Sequence, residues 1–247
     1  MKIRLDTHLV NNNFFDSRSK AQIHILSGEV FVNGTKELKP SKEINDNSKI
    51  TIKLLSENYV SRGGSKLEKA INYFNLDLNL KICLDIGAST GGFTECLLKN
   101  GAKKVYCVDV GYGQLDYKLR NKKNIINMEK KNARFLKRNE INDNIDLIVM
   151  DVSFISITKF NFFFDEFINE ATELIVLIKP QFELEKSKIG KNGVVKIDKY
   201  RDEASDNVIK FLDKYFISIS EVINSPIKGA KGNQESFIFC SNRLKTL

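Results

Sequence analysis

The hydrophobic positions change their spacing at about residue 65. Beyond it, short apolar runs alternate with stretches of helical period, and strands are predicted near 81–86, 104–109, 124–127, 146–151 and 173–178. A helix over 199–215, a strand around 216–223 and a last run, Glu235 to Cys240, that could pair antiparallel beside it, complete the pattern. Such alternation indicates parallel strands joined by right-handed crossovers, so we predict an α/β fold with a Rossmann-like, doubly wound sheet.

The first 54 residues follow a different pattern. The elements predicted there are a helix over 4–10, a helix over 18–27, a strand over 30–32, a tight turn at 33–34 and a strand over 49–54. Ser17 can cap the second helix, and Gly28 can end it. We therefore predict a small α+β domain over 1–54, an interdomain linker over 55–65 and a large domain over 66–247.

One segment carries the clearest chemical signal. Residues 83–94 read Cys-Leu-Asp-Ile-Gly-Ala-Ser-Thr-Gly-Gly-Phe-Thr, an apolar strand followed by a glycine turn and the start of a helix. The spacing differs from the dinucleotide fingerprint Gly-x-Gly-x-x-Gly, and the chain lacks a Gly-Lys-Ser/Thr phosphate loop. It suits a nucleoside cofactor without phosphates, for which S-adenosylmethionine is the candidate, although an ordinary strand–turn–helix is the alternative. Cofactor binding is assigned to Asp85, Gly87, Ala88, Ser89, Thr90, Gly91, Gly92 and Phe93.

Further polar residues follow the predicted strands at their carboxyl ends, where doubly wound sheets bind ligands. Asp109 ends the second strand, where a carboxylate can accept both hydroxyls of a ribose. Asp151 and Lys179 end the fourth and fifth strands, and Glu235 begins the last one. Each alone could be a charge that surfaces where a strand leaves the core. Their joint position at one edge indicates a site.

The sequence also limits which kind of atom can accept a transferred methyl group. The fourth strand ends in Asp151-Val-Ser-Phe154, whereas amino methylation usually uses an Asn/Asp-Pro-Pro-aromatic turn. Carbon methylation of cytosine needs a nucleophilic cysteine, commonly after proline, and no cysteine follows a proline here. A ribose 2′-hydroxyl remains the best acceptor. Lys179 could remove the proton of this hydroxyl or orient the hydroxyl. Nearby carboxylates favour the ammonium form of Lys179, whereas a base must be neutral, so both roles stay open.

Composition adds an expectation about the partner. The net charge of +8 indicates an anionic partner, and residues 1–69 hold twelve Lys/Arg against eight Asp/Glu. Four cysteines without a Cys-x-x-Cys pair and only two histidines argue against a metal site. The N-terminus does not resemble a signal peptide, and no stretch approaches 18 apolar residues. We therefore expect a cytoplasmic protein that does not act on membranes.

The N-terminal pattern resembles the small RNA-binding module named after a small-subunit ribosomal protein. The matching residues are Arg4-Leu5-Asp6, Ser17-Arg18-Ser19-Lys20-Ala21, Ile25, Gly28-x-Val30-x-Val32-Asn33-Gly34 and Lys39-Pro40-Ser41. The resemblance implies RNA contacts by Arg4, Arg18 and Lys20, and Arg62 is assigned the same role.

Nearly the whole chain resembles the TlyA family of rRNA 2′-O-methyltransferases, which have an FtsJ-type, class I methyltransferase domain. The motifs are Ser61-Arg-Gly-Gly-Ser-Lys-Leu67, Leu84 to Thr94, Asp109-Val-Gly-Tyr-Gly-Gln-Leu115, Asn132-Ala-Arg134, Asp151-Val-Ser-Phe-Ile155, Lys179-Pro-Gln-Phe-Glu183, Gly193-Val-Val195 and Gly232-Asn-Gln-Glu235.

This resemblance implies a catalytic tetrad of Lys66, Asp151, Lys179 and Glu235, with Asn132 among the cofactor-binding residues. It also implies methylation of a cytidine ribose in rRNA within ribosomal subunits, with S-adenosylmethionine as the donor and no obligate protein partner. Two alternatives stay open: a non-catalytic RNA-binding assembly factor that keeps a decayed cofactor fold, and a haemolysin.

Overall fold

The structure is a computed structural model that describes residues 2–26, 28–52, 59–229 and 231–242. The chain divides into two units, residues 1–57 and 58–247. Part of the predicted linker, residues 55–58, lies outside the described residues. The rest of it belongs to the second unit, because Tyr59 is buried and a helix begins at Arg62. The linker prediction of 55–65 therefore extends too far at its C-terminal end.

The N-terminal unit combines two helices with two small antiparallel sheets. Its elements are β1 (Lys2–Arg4), α1 (Leu5–Asn11), α2 (Arg18–Leu26), β2 (Val30–Val32), β3 (Thr35–Lys36), β4 (Glu43–Asn45) and β5 (Ile50–Ile52). Strand β2 pairs with β3 and β5, and β1 pairs with β4. The predicted cap of α2 is confirmed, since the Lys20 amide donates to Ser17 Oγ at 3.2 Å. The β1–β4 pair was not predicted, because two three-residue strands are too short to show an alternating pattern.

The second unit contains the large sheet. Its elements are α3 (Arg62–Tyr73), β6 (Ile82–Ile86), α4 (Gly92–Lys99), β7 (Lys104–Val108), α5 (Tyr117–Arg120), β8 (Ile125–Met128), β9 (Leu147–Met150), α6 (Asn161–Phe167), β10 (Glu173–Ile178), α7 (Pro180–Glu183), α8 (Asp198–Leu212), β11 (Ser218–Ile219), β12 (Ile223–Asn224) and β13 (Ser236–Ser241). The strand order is β11-β13-β10-β9-β6-β7-β8, and β12 also pairs with β13. Strands β6 to β10 run parallel, and β13 runs antiparallel to β10.

Alternate residues of the central strands pack into different hydrophobic clusters. In β9, Ile148 and Met150 join a cluster that contains side chains of α6 and α8, whereas Leu147 and Val149 join one that contains side chains of α3 and α4. Because successive strand residues point to opposite faces, the sheet is covered on both sides. The predicted α/β doubly wound fold is confirmed.

The predicted strand over 216–223 is wrong in its middle. Two short strands, β11 and β12, are found instead, and Ser220 lies between them. The Ser220 amide donates to the Phe239 carbonyl at 2.8 Å, while its hydroxyl accepts from the Phe239 amide at 2.9 Å. A side chain that takes a ladder hydrogen bond interrupts the regular pairing. Among the described residues, no helix has the length and hydropathy needed to span a membrane.

Candidate active site

Two ion pairs lie at the carboxyl edge of the sheet, one buried and one in which Asp151 is partly exposed. Lys66 Nζ donates to Glu235 Oε2 at 2.6 Å, and Lys179 Nζ lies 2.5 Å from Asp151 Oδ1. Lys179 also donates to Ser153 Oγ at 2.7 Å. Lys66, Lys179 and Glu235 are each no more than 9% exposed. Charges that are removed from water are costly unless they are paired, and each of these lysines has a carboxylate partner.

The fold explains how residues from distant parts of the chain meet here. Asp151 directly follows β9, and Lys179 directly follows β10, its neighbour in the sheet. Strand β13 runs antiparallel to β10 with Ser236 opposite Ile178, so Glu235, directly before β13, lies next to Lys179, directly after β10. Lys66 enters from helix α3. The structure therefore brings together the four residues of the predicted tetrad.

The four residues also interact electrostatically. Burial opposes ionisation of Asp151, but the charges of Lys179 and Lys66, together with the contact to Lys179, hold the pKa of Asp151 below its usual value. Asp151 is therefore a carboxylate at neutral pH. Lys66 is paired with Glu235, and its charge also lowers the pKa of Asp151. The two ion pairs therefore form one charge cluster.

A cavity of about 520 Å³ opens beside this cluster, within the size range of small-molecule sites. Of the predicted cofactor and catalytic residues, Gly87, Ser89, Asp109, Asn132 and Asp151 line it. Asp109 is held by two backbone amides: Ser89 N donates to Oδ2 at 2.9 Å, and Gly111 N donates to Oδ1 at 2.7 Å. Each carboxylate oxygen can accept a second hydrogen bond. Asp109 can therefore receive two vicinal hydroxyls, which fits the ribose of a nucleoside cofactor.

Asn132 lies on the same side of the cavity. It precedes a short 3₁₀ helix, Ala133–Phe135, and its Oδ1 accepts from the Arg134 amide at 3.2 Å. The cap fixes the side chain beside the cavity. Its amide nitrogen can donate to a ligand, which suits the acceptor atoms of an adenine ring.

The remaining predicted cofactor residues face protein atoms. Asp85 is fully buried and accepts from Thr94 Oγ1 at 2.6 Å. A Cβ at Gly91 would lie 2.4 Å from a Leu119 methyl group, and one at Gly92 would lie 2.2 Å from Ser61 Oγ. In the structure, Gly91 and Gly92 permit close packing against Leu119 and Ser61.

The other three residues of this segment also have protein neighbours. Phe93 is buried, with its ring centroid 6.2 Å from that of Phe237. Ala88 is buried, and the Thr90 carbonyl accepts from the Asp116 amide. The turn thus places Gly87 and Ser89 at the cavity, while residues 90–93 pack against or bond to neighbouring parts of the protein.

Several cavity residues received no role from the sequence, although all but Lys131 lie in the quoted motifs: Gln114, Lys131, Arg134, Ser153 and Phe154. Phe154 is the most unusual, because it is 91% exposed and has a positive φ of 67°. Its ring centroid lies 5.3 Å from that of Phe182. A left-handed conformation is rare for a bulky residue, and such strain concentrates at functional sites. An exposed aromatic ring three residues after a strand-end aspartate is the signal that could have indicated it.

The predicted RNA-binding residues are distributed over both units. Arg4 and Arg18 are roughly half exposed, and both donate to Asp6. Lys20 forms an exposed ion pair with Asp16 at 3.1 Å. Arg62 is the first residue of α3 in the second unit.

Comparisons with known proteins identify the family. A sequence model of the FtsJ-like methyltransferases matches residues 59–243. Hemolysin A of Brachyspira hyodysenteriae is 48% identical over 94% of this chain and 97% of its own length. The 16S/23S rRNA (cytidine-2′-O)-methyltransferase TlyA of Mycobacterium tuberculosis is 36% identical over 96% of this chain and 89% of its own.

The solved structures give the same answer. A structure described as a candidate hemolysin from Streptococcus thermophilus has a TM-score of 0.74 and 36% identity, and the match covers 98% of this chain and 89% of that one. The chain therefore belongs to the TlyA family, with an FtsJ-like methyltransferase domain.

Proposed function

We propose that this protein transfers a methyl group from S-adenosylmethionine to the 2′-hydroxyl of a cytidine ribose in rRNA. The observation that carries this proposal is the Lys179–Asp151 pair, at 2.5 Å, on the edge of a cavity that suits a nucleoside cofactor. The names of the relatives supply the substrate: the TlyA proteins are rRNA (cytidine-2′-O)-methyltransferases.

The cofactor assignment rests on four cavity residues. Asp109 would hold the ribose hydroxyls, and Asn132 would meet the base. Gly87 and Ser89 lie where the polypeptide turns away from β6 and would face the rest of the nucleoside. Bound S-adenosylmethionine supplies an electrophilic methyl group.

Lys179 would orient the acceptor. An ammonium group has three N–H donors, and one of them donates to Ser153 Oγ, while Asp151 Oδ1 lies 2.5 Å from the Nζ atom as its ion-pair partner. A remaining donor would bind the ribose hydroxyl and direct a lone pair of its oxygen toward the methyl group. The charge of the ammonium would then stabilise the hydroxyl oxygen while its proton passes to solvent during methyl transfer. In this proposal Lys179 orients the acceptor hydroxyl.

Asp151 and the Lys66–Glu235 pair have supporting roles in this scheme. Asp151 and Ser153, which both line the cavity, hold the Lys179 Nζ atom beside it. Lys66 balances the carboxylates of Glu235 and Asp151, so no uncompensated charge is left in the buried cluster.

Phe154 suits the base of the acceptor nucleotide. Its exposed ring lines the cavity close to Asp151, and every base has an aromatic face that can stack on such a ring. This gives the acceptor side of the site an apolar surface beside the charged groups.

The direct test is methyl transfer in vitro. Ribosomal subunits from a strain that lacks this protein are incubated with purified protein and labelled S-adenosylmethionine. We expect Lys179→Met to lower incorporation by about 10²-fold or more, since it removes the orienting group. Lys104→Met is the matched control, because Lys104 lies at the opposite end of β7 and pairs with Asp143. It should stay within about 2-fold of the wild type.

Calorimetry with S-adenosylmethionine separates the catalytic proposal from the assembly-factor alternative. The wild type and Lys179→Met should both bind the cofactor. Full methylation by Lys179→Met would contradict the assignment of Lys179. A wild type that binds rRNA but neither binds the cofactor nor transfers a methyl group would favour the assembly factor.

A further inference from the structure

Arg4, Arg18 and Lys20 form the predicted RNA-binding face of the N-terminal unit, and Asp6 is a buried carboxylate that contacts two of them. It is 0% exposed and lies in the first turn of α1. Arg4 donates to it twice, through Nε at 3.1 Å and Nη2 at 2.8 Å. Arg18 Nη2 donates to Oδ2 at 3.1 Å, and Gln22 Nε2 donates to the same oxygen at 2.8 Å. Elements β1, α1 and α2 are thus tied together at one side chain.

The arginines in this network stay accessible. Their side chains are 46% and 55% exposed, although the carboxylate between them is buried. A guanidinium has five N–H donors, and the bonds to Asp6 use two from Arg4 and one from Arg18. Both groups can therefore bind a second anion from the solvent side.

The shared oxygen also fixes the spacing of the two arginines. Because both Nη2 atoms contact Oδ2, they lie at most about 6 Å apart, a distance that one phosphate can bridge with two of its oxygens. Two cations this close repel each other unless an anion lies between them. The hydrogen bond from Arg4, with those from Gln22 and Arg18, holds the pKa of Asp6 far below its usual range, so the anion persists at neutral pH.

We propose that Asp6 is a positioning residue for RNA recognition, which holds Arg4 and Arg18 as a preorganised clamp for a backbone phosphate. The inference rests on the proposed function, since it assumes that the partner is RNA. Preorganisation lowers the entropy that two flexible side chains lose on binding. An arginine already oriented by a carboxylate pays less of this cost than a free one.

For the substitution Asp6→Asn, the proposal and simple electrostatics predict opposite changes in RNA affinity. Asp6→Asn removes a negative charge from the RNA-binding face, so electrostatics alone predicts tighter binding to RNA. A positioning role predicts weaker binding despite the gain in net charge, because the two guanidinium groups lose their shared anchor. Asp16→Asn is the matched control: Asp16 is exposed, and it pairs with Lys20 in the same unit.

The test uses the full chain and ribosomal subunits from a strain that lacks it. Binding is measured by filter retention over a range of salt concentrations, and KM and kcat are measured by methyl incorporation. We expect Asp6→Asn to weaken binding and raise KM about 10-fold, to leave kcat within about 2-fold, and to lower the salt slope by up to about 2. Asp16→Asn should bind as tightly as the wild type or more tightly.

A double-mutant comparison shows whether Asp6 acts through the arginines. In an Arg4→Gln, Arg18→Gln background, adding Asp6→Asn should change RNA affinity by less than about 2-fold. If Asp6→Asn does not fold, as judged by circular dichroism, Arg4→Lys with Arg18→Lys replaces it. That variant keeps the net charge but loses the bidentate contact, so it should also bind more weakly.

Three outcomes would overturn the inference: Asp6→Asn that binds as tightly as the wild type or more tightly, an equal effect of Asp6→Asn in the double-glutamine background, or wild-type affinity in the double-lysine variant. A wild type that binds no subunit would instead refute the proposed function, so the two failures are distinguishable.

Discussion

At the scale of single residues, the second unit contains two acids in contrasting environments, a partly exposed Asp151 and a fully buried Asp85. Asp151 is paired with Lys179 at 2.5 Å, and its pKa lies below the usual value. Asp85, in the neighbouring strand, accepts one hydrogen bond from Thr94 and is fully buried. Burial, with smaller contributions from Asp151 and Asp109, raises the pKa of Asp85 to about 7. Asp151 therefore carries a stable negative charge beside the cavity, whereas ionisation of Asp85 destabilises the folded state.

This difference predicts the effect of pH on stability. The folded-state pKa of Asp85, about 7, exceeds the value of roughly 3.9 for an unfolded chain, so its ionisation favours unfolding. Its contribution to stability is therefore full below about pH 4 and is lost as the pH rises toward 7. Asp85→Asn should remove this loss and raise the free energy of unfolding at pH 8 by a few kcal/mol relative to the wild type.

Urea denaturation at pH 5 and pH 8 measures this effect. The exposed Asp202→Asn on α8 is the control, and its free energy of unfolding should follow the wild type at both values. An Asp85→Asn variant with the same pH dependence as the wild type would show that Asp85 does not titrate in this range.

At the scale of secondary structure elements, the position of α3 matters most, because it carries Lys66. Tyr59 lies against the start of this helix, and a Cβ at Gly64 would lie 2.2 Å from its ring. The Tyr59 hydroxyl donates to Glu68 at 2.7 Å, and the Val60 amide donates to Glu95 of α4 at 2.6 Å. Residues 59–60 thus connect α3 to α4.

Substitution of Gly64 tests this packing. Gly64→Ala should destabilise the protein by about 1–3 kcal/mol, since the added methyl group overlaps the Tyr59 ring. Gly63→Ala is the matched control on the same helix: its nearest contact would be a Phe93 ring carbon at 3.3 Å, and alanine improves helix propensity by about 1 kcal/mol. Urea denaturation should give a clearly larger loss for Gly64→Ala. Equal losses would contradict the proposed role of the close approach.

The sequence predicted the central strands well because their residues form uninterrupted apolar runs, such as 147–150 and 174–178, that are bounded by charged residues. Strand-end groups such as Asp109 and Asp151 followed from the rule for ligand sites in doubly wound sheets. Lys66 was different. Its partner, Glu235, lies 169 positions away, and no local pattern indicates such a pair. Only the family resemblance predicted Lys66.

Asp85 shows a second limit of sequence patterns. An acid near the end of a strand suggests a ligand contact, but side chains alternate between the two faces of a sheet. Asp85 points toward Thr94 of α4, whereas the cofactor cavity lies beyond the strand end. The face that the Asp85 side chain takes depends on the alternation of side chains along the strand and on where the strand ends. The ends of strands are what the sequence specifies least well.

At the scale of the whole molecule, the two units carry separable functions in the proposed scheme. The cofactor cavity and the tetrad lie in residues 58–247, and the Asp6 network lies in residues 1–57. Loss of RNA affinity should therefore be possible without loss of cofactor affinity.

Arg18→Gln with Lys20→Gln tests this separation. Glutamine is used because a glutamate at position 18 would face the buried Asp6. We expect weaker binding to ribosomal subunits, a salt slope lower by up to about 2, and unchanged affinity for S-adenosylmethionine by calorimetry. Lys210→Gln with Lys214→Gln removes the same charge from the second unit and should have a smaller effect on RNA affinity. Loss of cofactor affinity in the Arg18, Lys20 variant would show that the two functions are coupled.

The central claim is that this chain methylates a cytidine ribose in rRNA. The most direct measurement is the mapping of 2′-O-methylated nucleotides in rRNA from three strains: one with the gene, one without it, and one that carries Lys179→Met. The account predicts a 2′-O-methylcytidine that is present in the first strain and absent from the other two. A methylation pattern that is identical in the three strains, or a methyl group that depends on the gene but lies on a base, would contradict it.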